Sequence, residues 1–597
     1  MKSIFLILLS ASLLATAGGE KPQPRYSITV TELGAKNDGS QDATSVFQKA
    51  LDEMGKLGGG IVYVPAGNYK IEGTLKIPAG VTLQGTFRTP PTSHYPNMPQ
   101  LAGSVLLAYA GRGNPDGEPF ITLAGNNATV EGLIIRYPEV TPKDVPPVPY
   151  PPAVCGKNVE NVGVLDCCII NPYEAVHFQN SARMIIRNVF GYPSWRGLYI
   201  DACYDISRVE NCHFWPFGVI YNPNDPYCLW INENAVAFEF ARTDWQYVTH
   251  TFCFGYGVGY KFSKSKNGAC NGSFLGIGAD CCKRAVLVED LQPYGLLITN
   301  GEFVGRWESK DSAGIEILPS AGGGMVSLMN CAFWGPLDRA IWHRSGTTQL
   351  TVIGCNFWEW DINYQGSPAI QVDRGRITFQ GNNFSPNGLL HLFLGNGVSS
   401  AIVTGNQAEG GMYVLNYAKN KTQVGFNQTP PELPKKTLLR NIVLKVGNVG
   451  DRYFLDGWHG AEKASEWGIP GDGKRWSRGS SLVRLPVLPH KEYMLTLDLY
   501  VPPHAKSENN AVYLEGEKII SLADVEGIKR VSAKIKTDDK DFILLKFTAK
   551  EWKPKELDPN SKDDRLLGIA VREINLKAKG ATGKPFEINS LFKFVEK

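Results

Sequence analysis

The feature that most constrains this chain is a repeat. From about Phe120 to Gln428 one phrase returns roughly every twenty to thirty residues, a solenoid signature. It is a short alternating strand, often opened by Ala or Gly: Ala175-Val176-His177-Phe178, Gly197-Leu198-Tyr199-Ile200, Ala235-Val236-Ala237-Phe238 and Gly259-Tyr260-Lys261-Phe262. It continues as Ala285-Val286-Leu287-Val288, Gly314-Ile315-Glu316-Ile317, Ala340-Ile341-Trp342-His343 and Ala369-Ile370-Gln371-Val372. A second strand in each unit commonly ends Asn-x-x-Phe, as in Asn300-Gly301-Glu302-Phe303. Period-two alternation with Gly or Asn at the corners predicts short strands, and no helical spacing competes with it. A propeller blade needs about 40 residues and four strands, more than these units hold. The expectation is an all-β chain built on a right-handed parallel β-helix.

At 597 residues the chain predicts more than one domain, and its formal net charge of +3 gives no bulk-charge reason to expect a nucleic-acid partner. Lys2, the apolar run Ile4 to Leu14 and Ala15-Thr16-Ala17 read as a signal peptide over 1–17, with a secreted or periplasmic product. That run is too short to span a bilayer, so no membrane insertion is expected. All twelve cysteines lie between Cys155 and Cys355, and Cys212, Cys331 and Cys355 fall at one place in the repeat. This favours a buried thiol ladder, with one or two disulfides as the alternative. Cys167-Cys168 and Cys281-Cys282 lack the spacing of a structural zinc site.

Ahead of the array stand Val30-Thr31-Glu32-Leu33-Gly34-Ala35-Lys36-Asn37-Asp38-Gly39, Gly58-Gly59-Gly60-Ile61-Val62-Tyr63-Val64-Pro65-Ala66-Gly67-Asn68-Tyr69 and Val81-Thr82-Leu83-Gln84-Gly85. This opening resembles the pectate-lyase-like superfamily of polygalacturonases, rhamnogalacturonases and epimerases. The resemblance implies the β-helix and a polysaccharide or oligosaccharide partner. It departs from the polygalacturonase pattern, because the Asn-x-Asp, Asp-Asp, Gly-His-Gly and Arg-x-Lys set is not found in order. Between the quoted segments, Val46, Ala50, Leu51 and Met54 form one apolar face of a helix suited to covering the open end of the stack. The β-helix is read over 25–428, a Pro-rich charged linker over 429–436, and a smaller β-sandwich over 437–597. Trp458, Trp467 and Trp476 of the sandwich are read as core or as a carbohydrate platform, core being favoured. A cut near Pro430 is expected to leave a soluble, active first part.

In each first strand alternate residues face outward. Aligning the phrases gives one column of His177, Tyr199, Ala237, Lys261, Leu287, Glu316, Trp342 and Gln371. The other column holds Gln179, Asp201, Glu239, Ser263, Glu289, Leu318, Arg344 and Asp373. Long insertions, Glu139 to Pro152 and Pro216 to Asn234, lead into these strands and can wall a groove. With coils about 4.8 Å apart, Asp201 and Glu239 are expected about 5 Å apart and Glu239 and Glu289 about 10 Å apart. Such pairs suit glycoside hydrolysis. Asp201, Glu239 and Glu289 are therefore the candidate catalytic carboxylates, with His177, Tyr199, Arg242, Lys261, Glu316, Trp342 and Arg344 as substrate-binding candidates. A plain salt-bridged ladder with Lys261 or Arg242 is the competing reading. No metal ligands and no cofactor are assigned. The alternatives to a hydrolase are a polysaccharide lyase on uronates, using Tyr199, His177 and Lys261 with Ca²⁺, and a non-catalytic glycan-binding β-helix.

Overall fold

The computed structural model describes residues 26–88, 102–220, 222–306, 309, 311–385, 388–428, 435–463 and 473–592. The signal-peptide reading, most of the linker, Tyr221 and Trp467 lie outside the described residues. Among the described residues, 38 strands join in one network of parallel pairings from Ser27–Thr29 to Thr422–Gly425, a right-handed parallel β-helix. A second, mixed sheet system follows it.

Seven rungs of the first sheet carry the argument below: β1 (Glu174–Gln179), β2 (Arg196–Asp201), β3 (Val236–Phe240), β4 (Val258–Phe262), β5 (Arg284–Val288), β6 (Ala313–Ile317) and β7 (Arg339–His343). Each pairs with the next, one coil on. The inward residues Val176, Leu198, Phe238, Tyr260, Val286, Ile315 and Ile341 stack along the core, with Phe238 and Tyr260 ring on ring at 4.9 Å.

One corner of each coil turns through a single left-handed residue. Asp166, Asn188, Asn211, Asn300 and Asn330 have φ between 49° and 55°, and Gly354, Gly381 and Gly405 take over the same corner further on. This is the conformation that Gly, Asn and Asp accept at least cost. The Asn amides also join neighbouring corners: Asn211 donates to Asn188 at 2.8 Å and Asn330 to Asn300 at 2.7 Å.

Just past that corner, Cys212, Cys331 and Cys355 point inward in one column. All twelve cysteines are free thiols, and all but Cys281 are buried. Burial pushes the Cys155, Cys167, Cys203, Cys212 and Cys270 thiols up to about 12, which suits core packing rather than reactivity. Further along the same column the thiols give way to amides. The Cys355 N–H donates to Asn382 Oδ1 (2.9 Å), Asn382 N–H to Asn406 Oδ1 (3.0 Å) and Asn406 N–H to Asn427 Oδ1 (3.1 Å).

The capping helix, α1 (Thr44–Lys56), buries Phe47, Ala50, Leu51 and Met54 against the first coils. Phe47 takes the place assigned to Val46, which is only partly buried. The i, i+3, i+4, i+7 set starting at 47 is the one centred on the core. In the Gly58-Gly59-Gly60 run that follows, all three have positive φ, and Gly59 and Gly60 are required by space as well. A Cβ on Gly59 would lie 2.7 Å from the Gly80 carbonyl, and one on Gly60 2.7 Å from that of Tyr26.

The C-terminal part packs two sheets over a core of Leu444, Val483, Leu497, Leu545 and Leu576. The long strand β8 (Gly473–Pro486) contributes to both sheets. β9 (Glu492–Val501) lies between β10 (Gly527–Lys536) and β11 (Ala570–Ala578) in one of them. This sandwich closes on the last coils. The buried Arg484 guanidinium sits 3.2 Å above the Tyr413 ring and donates to the Leu389 carbonyl at 2.5 Å. Arg452 and Tyr453 both bind Glu409, at 2.9 and 2.8 Å. Trp458 packs on Phe547 and donates to the Leu482 carbonyl, and Trp476 is buried against Trp552, so both serve the core.

Candidate functional site

The pairing register corrects one rung of the outward columns. His177, Tyr199, Glu239, Lys261, Leu287, Glu316 and Trp342 are successive partners, so Glu239 stands beside Tyr199 and not beside Asp201. The cause is the insertion before β3. It folds into α2 (Pro226–Asn234), whose Asp225 side chain caps the Tyr227 N–H at 2.9 Å. Ala235 still belongs to the helix end, its N–H donating to the Ile231 carbonyl, so the strand begins one dipeptide later than the phrase suggests. A two-residue slip leaves every side chain on its face, which hides it from a period-two pattern.

Asp201 is therefore not half of a close carboxylate pair with Glu239. It is 2% exposed and fully engaged, accepting from Ser265 Oγ (2.6 Å), Asn267 Nδ2 (2.9 Å) and the Arg242 N–H (3.2 Å). Burial pushes its carboxyl up, but these hydrogen bonds outweigh that and hold it below the ordinary value. Arg242 carries its guanidinium over the Tyr204 ring at 5.1 Å and bonds the Thr243 carbonyl.

The other candidates fall into two charge clusters on either side of Leu287. In the first, Glu174 Oε1 accepts from His177 Nδ1 (2.9 Å) and its other oxygen from Arg196 (3.0 Å). Arg196 continues to Glu239 (3.1 Å), and the Lys261 ammonium lies 3.7 Å from Glu239 and 3.1 Å from Glu289. Two carboxylate oxygens that share one ammonium in this way lie within about 7 Å of each other. Exposure rises along the chain of contacts, from 6% for the Glu174 side chain to 24% for Lys261 and 32% for Glu289. Tyr199 packs on His177 with ring centres 4.9 Å apart and beneath Arg196 at 4.3 Å. Burial, then the charges of Asp201 and Glu239, pushes its phenol up to about 12. Among the described residues, the buried His177 Nε2 has no hydrogen-bond partner.

In the second cluster Glu316 is clasped by Arg284 and by Arg344 (2.8 Å). Trp342 lies between Arg339 (4.8 Å) and Arg344 (4.5 Å) and donates to Asp373 at 2.9 Å. The insertion helix α2 meets the later rungs through Glu233, which pairs with Lys283 and with Arg306 at 3.0 Å. Asn232 of α2 bonds the Gly255 carbonyl, and Tyr173 and Trp195 stack at 5.0 Å, with Arg196 4.3 Å above Trp195.

Glu174 and Arg196, which knit the first cluster together, were not among the sequence candidates. Both open their strands directly after an aromatic residue, in Tyr173-Glu174 and Trp195-Arg196. There the outward positions break step with the alternation used to draw the columns. Among the described residues, no group of three or more His, Cys, Asp or Glu side chains is arranged to hold a metal ion. No described helix is long and apolar enough to cross a membrane.

A long parallel coil stack, capped by a helix and carrying a charged outward column, defines a right-handed parallel β-helix. Residues 27–144 match the family model described as rhamnogalacturonase A/epimerase, pectate lyase-like. Among curated proteins the chain is similar to alginate lyase 7 of Azotobacter vinelandii, 48% identical over 44 residues, which are 7% of this chain and 5% of that protein. It is also similar to mannuronan C5-epimerase AlgE3 of the same organism, 31% identical over 121 residues, 18% of this chain and 7% of that protein. Among solved structures it is similar to the A-module of mannuronan C-5 epimerase AlgE4, also from Azotobacter vinelandii, at 16% identity and a TM-score of 0.36. That likeness covers 68% of this chain and 97% of the module.

Proposed function

We propose that the outward face of β1–β5 binds a polysaccharide and hydrolyses it, with Glu239 and Glu289 as the paired carboxylates. The observation that carries this reading is their convergence on Lys261 to within about 7 Å on a partly exposed face. Glycoside hydrolysis uses two carboxyl groups, about 5–5.5 Å apart in retaining enzymes and about 6.5–9.5 Å in inverting ones. Glu239, bound by Arg196 as well as Lys261, is suited to be the nucleophile or base. Glu289, the more exposed of the two, is assigned to the leaving oxygen. The cluster holds three carboxylates against two permanent cations, a field that favours the cationic, oxocarbenium-like transition state. The polysaccharide as substrate class is supported by the matched family description and by the two matched curated enzymes, named for alginate and mannuronan.

A second reading, proton transfer at C5 of a uronate in a lyase or epimerase, is favoured by one observation. Glu174 fixes the His177 ring through Nδ1 beside Tyr199, an oriented acid–base arrangement. It ranks second because Arg196 and Lys261, the cations that would neutralise a uronate carboxylate, are already held by protein carboxylates.

Incubation with a panel of glycans, with product sizing and ultraviolet detection of new double bonds, tests both. Glu239→Gln and Glu289→Gln should each lower turnover by about 10²–10⁴. The double variant should be little worse than either alone. Unsaturated products, or full turnover in both single variants, would overturn hydrolysis by this pair. Glycan binding without any change in chain length would assign the face to recognition alone.

A further inference from the structure

The sandwich carries a second feature of the kind that takes a ligand, on the outer face of β9, β10 and β11. A depression of about 510 Å³ lies over the end of these strands, lined by Glu492, Met494, Lys534, Lys536, Lys577 and Lys579. The register explains the gathering of charge. Met494 is flanked by Lys534 on one side and Lys577 on the other, and Glu492 lies opposite Lys536. Lys579 follows at the edge, its N–H bound to the Glu492 carbonyl at 3.0 Å, and Arg440 donates to the Lys579 carbonyl at 3.5 Å. Glu492, 4.0 Å from the Lys579 ammonium, is the one acid lining the depression. Asp498, two rows along the same face, is committed to Arg530 (2.6 Å) and Arg572 (2.9 Å). Among the described residues no carboxylate pairs with Lys534, Lys536 or Lys577.

Lys534 and Lys536 on β10, Lys577 on β11 and Lys579 just past its end share one face across β9, and like charges gathered on one face repel one another. A chain with a formal net charge of only +3 concentrates cations here beyond what its composition requires. Ammonium groups on flexible stems bind anionic groups as point charges, without a fixed fork geometry. The exposed Met494 between them supplies an apolar surface for the face of a sugar ring. Trp458 and Trp476 are not available as aromatic platforms for this task, because both serve the core.

We propose that this lysine-rich sheet face binds an anionic polysaccharide, its carboxylate or sulfate groups meeting Lys534, Lys536, Lys577 and Lys579 around Met494. The inference rests on the glycan-active reading of the chain only for the kind of polymer, and binding is read apart from turnover. The full-length protein is titrated calorimetrically with polygalacturonate, dextran sulfate, neutral dextran and a DNA duplex, with product sizing on the same samples. The expected result is binding to polygalacturonate or dextran sulfate that weakens with salt and loses at least ~10-fold in affinity in Lys534→Ala/Lys536→Ala/Lys577→Ala. Lys56→Ala, on the capping helix, should bind as the unmodified protein does. The stronger of the two acidic polymers identifies the anion. The proposal is overturned by a triple variant of native circular dichroism that keeps its affinity, by equal affinity for neutral dextran, by tighter binding of DNA, or by no binding to either acidic polymer. A protein that binds but cleaves nothing would count against the catalytic proposal and leave this one standing.

Discussion

Asp201 offers the sharpest test of the geometry, because sequence and structure give it different work. In the column drawn from the sequence it is a catalytic acid, and Asp201→Asn should cost turnover while sparing the fold. In the structure it is a buried anchor whose carboxylate receives Ser265 Oγ, Asn267 Nδ2 and the Arg242 N–H. Asn keeps one acceptor oxygen and turns an NH2 toward donors that already point at it. Hydrogen bonds to a charged group contribute about 1.5–3 kcal/mol each, and a buried donor left unsatisfied costs about 1–3 kcal/mol. Asp201→Asn should therefore destabilise by about 2–3 kcal/mol. Asp201→Ala, which strands all three donors, should approach the ~4–5 kcal/mol that marks the most damaging substitutions. The loss should begin in the 263–268 turn, read by hydrogen exchange, and lower the melting temperature. Its carboxyl is held below its unfolded value, so the contribution is present above about pH 4 and lost as the pH falls through the folded value, and the two melting curves should converge in acid. An Asp201→Asn protein that melts like the unmodified one yet loses ~10²-fold or more in turnover would refute the anchor reading and restore Asp201 to the chemistry.

Two further outcomes follow from the junction between the coil stack and the sandwich. Contrary to the sequence expectation of a soluble first part, a chain ended at Gln428 exposes the Tyr413 surface on which Arg484 sits, and Leu389 and Met412 around it, so it should aggregate or melt well below the full chain; a monodisperse, active fragment by gel filtration would refute this. Burial pushes the Asp361 carboxyl up to about 8 and that of Asp456, across the junction, up to about 7. The folded chain then keeps protons that the unfolded chain releases near pH 4. Stability should decline as the pH rises from about 4 to 8, and Asp361→Asn should flatten that slope in melts between pH 5 and 9.

The coil stack was legible because its signal is redundant: many rungs repeat one inward pattern, and the left-handed corners are mostly Asn or Gly. The opening segment was legible for a related reason, since Gly59, Gly60, Gly67 and Gly85 stand where a Cβ would meet backbone and Gly34, Gly39 and Gly58 have a left-handed φ. The candidate site was legible only in part. His177, Tyr199, Lys261, Glu316 and Trp342 stand in the column where alternation put them. Glu239 does not, because strand re-entry after α2 is a tertiary event with no local marker. Glu174 and Arg196 escaped because their outward direction is set by the corner and not by the strand. Trp458 and Trp476 pack in the sandwich core, the reading favoured for them from the sequence, and Trp467 lies outside the described residues. The lysine face is a cross-strand property of residues far apart in sequence, which no single segment reveals.

The slip at β3 has a consequence for how such a face can vary. Each rung is fed by a loop of free length, but the strand must re-enter with its apolar residues inward, so the re-entry point can move only in even steps. One such step exchanges Ala237 for Glu239 in the outward column while the core below still receives aromatic and small side chains. Loop length thus acts like a selector dial with discrete stops, presenting a different member of the same strand to the groove at each stop. Reaction chemistry on this scaffold can be re-dealt by indels in solvent, with no core residue replaced.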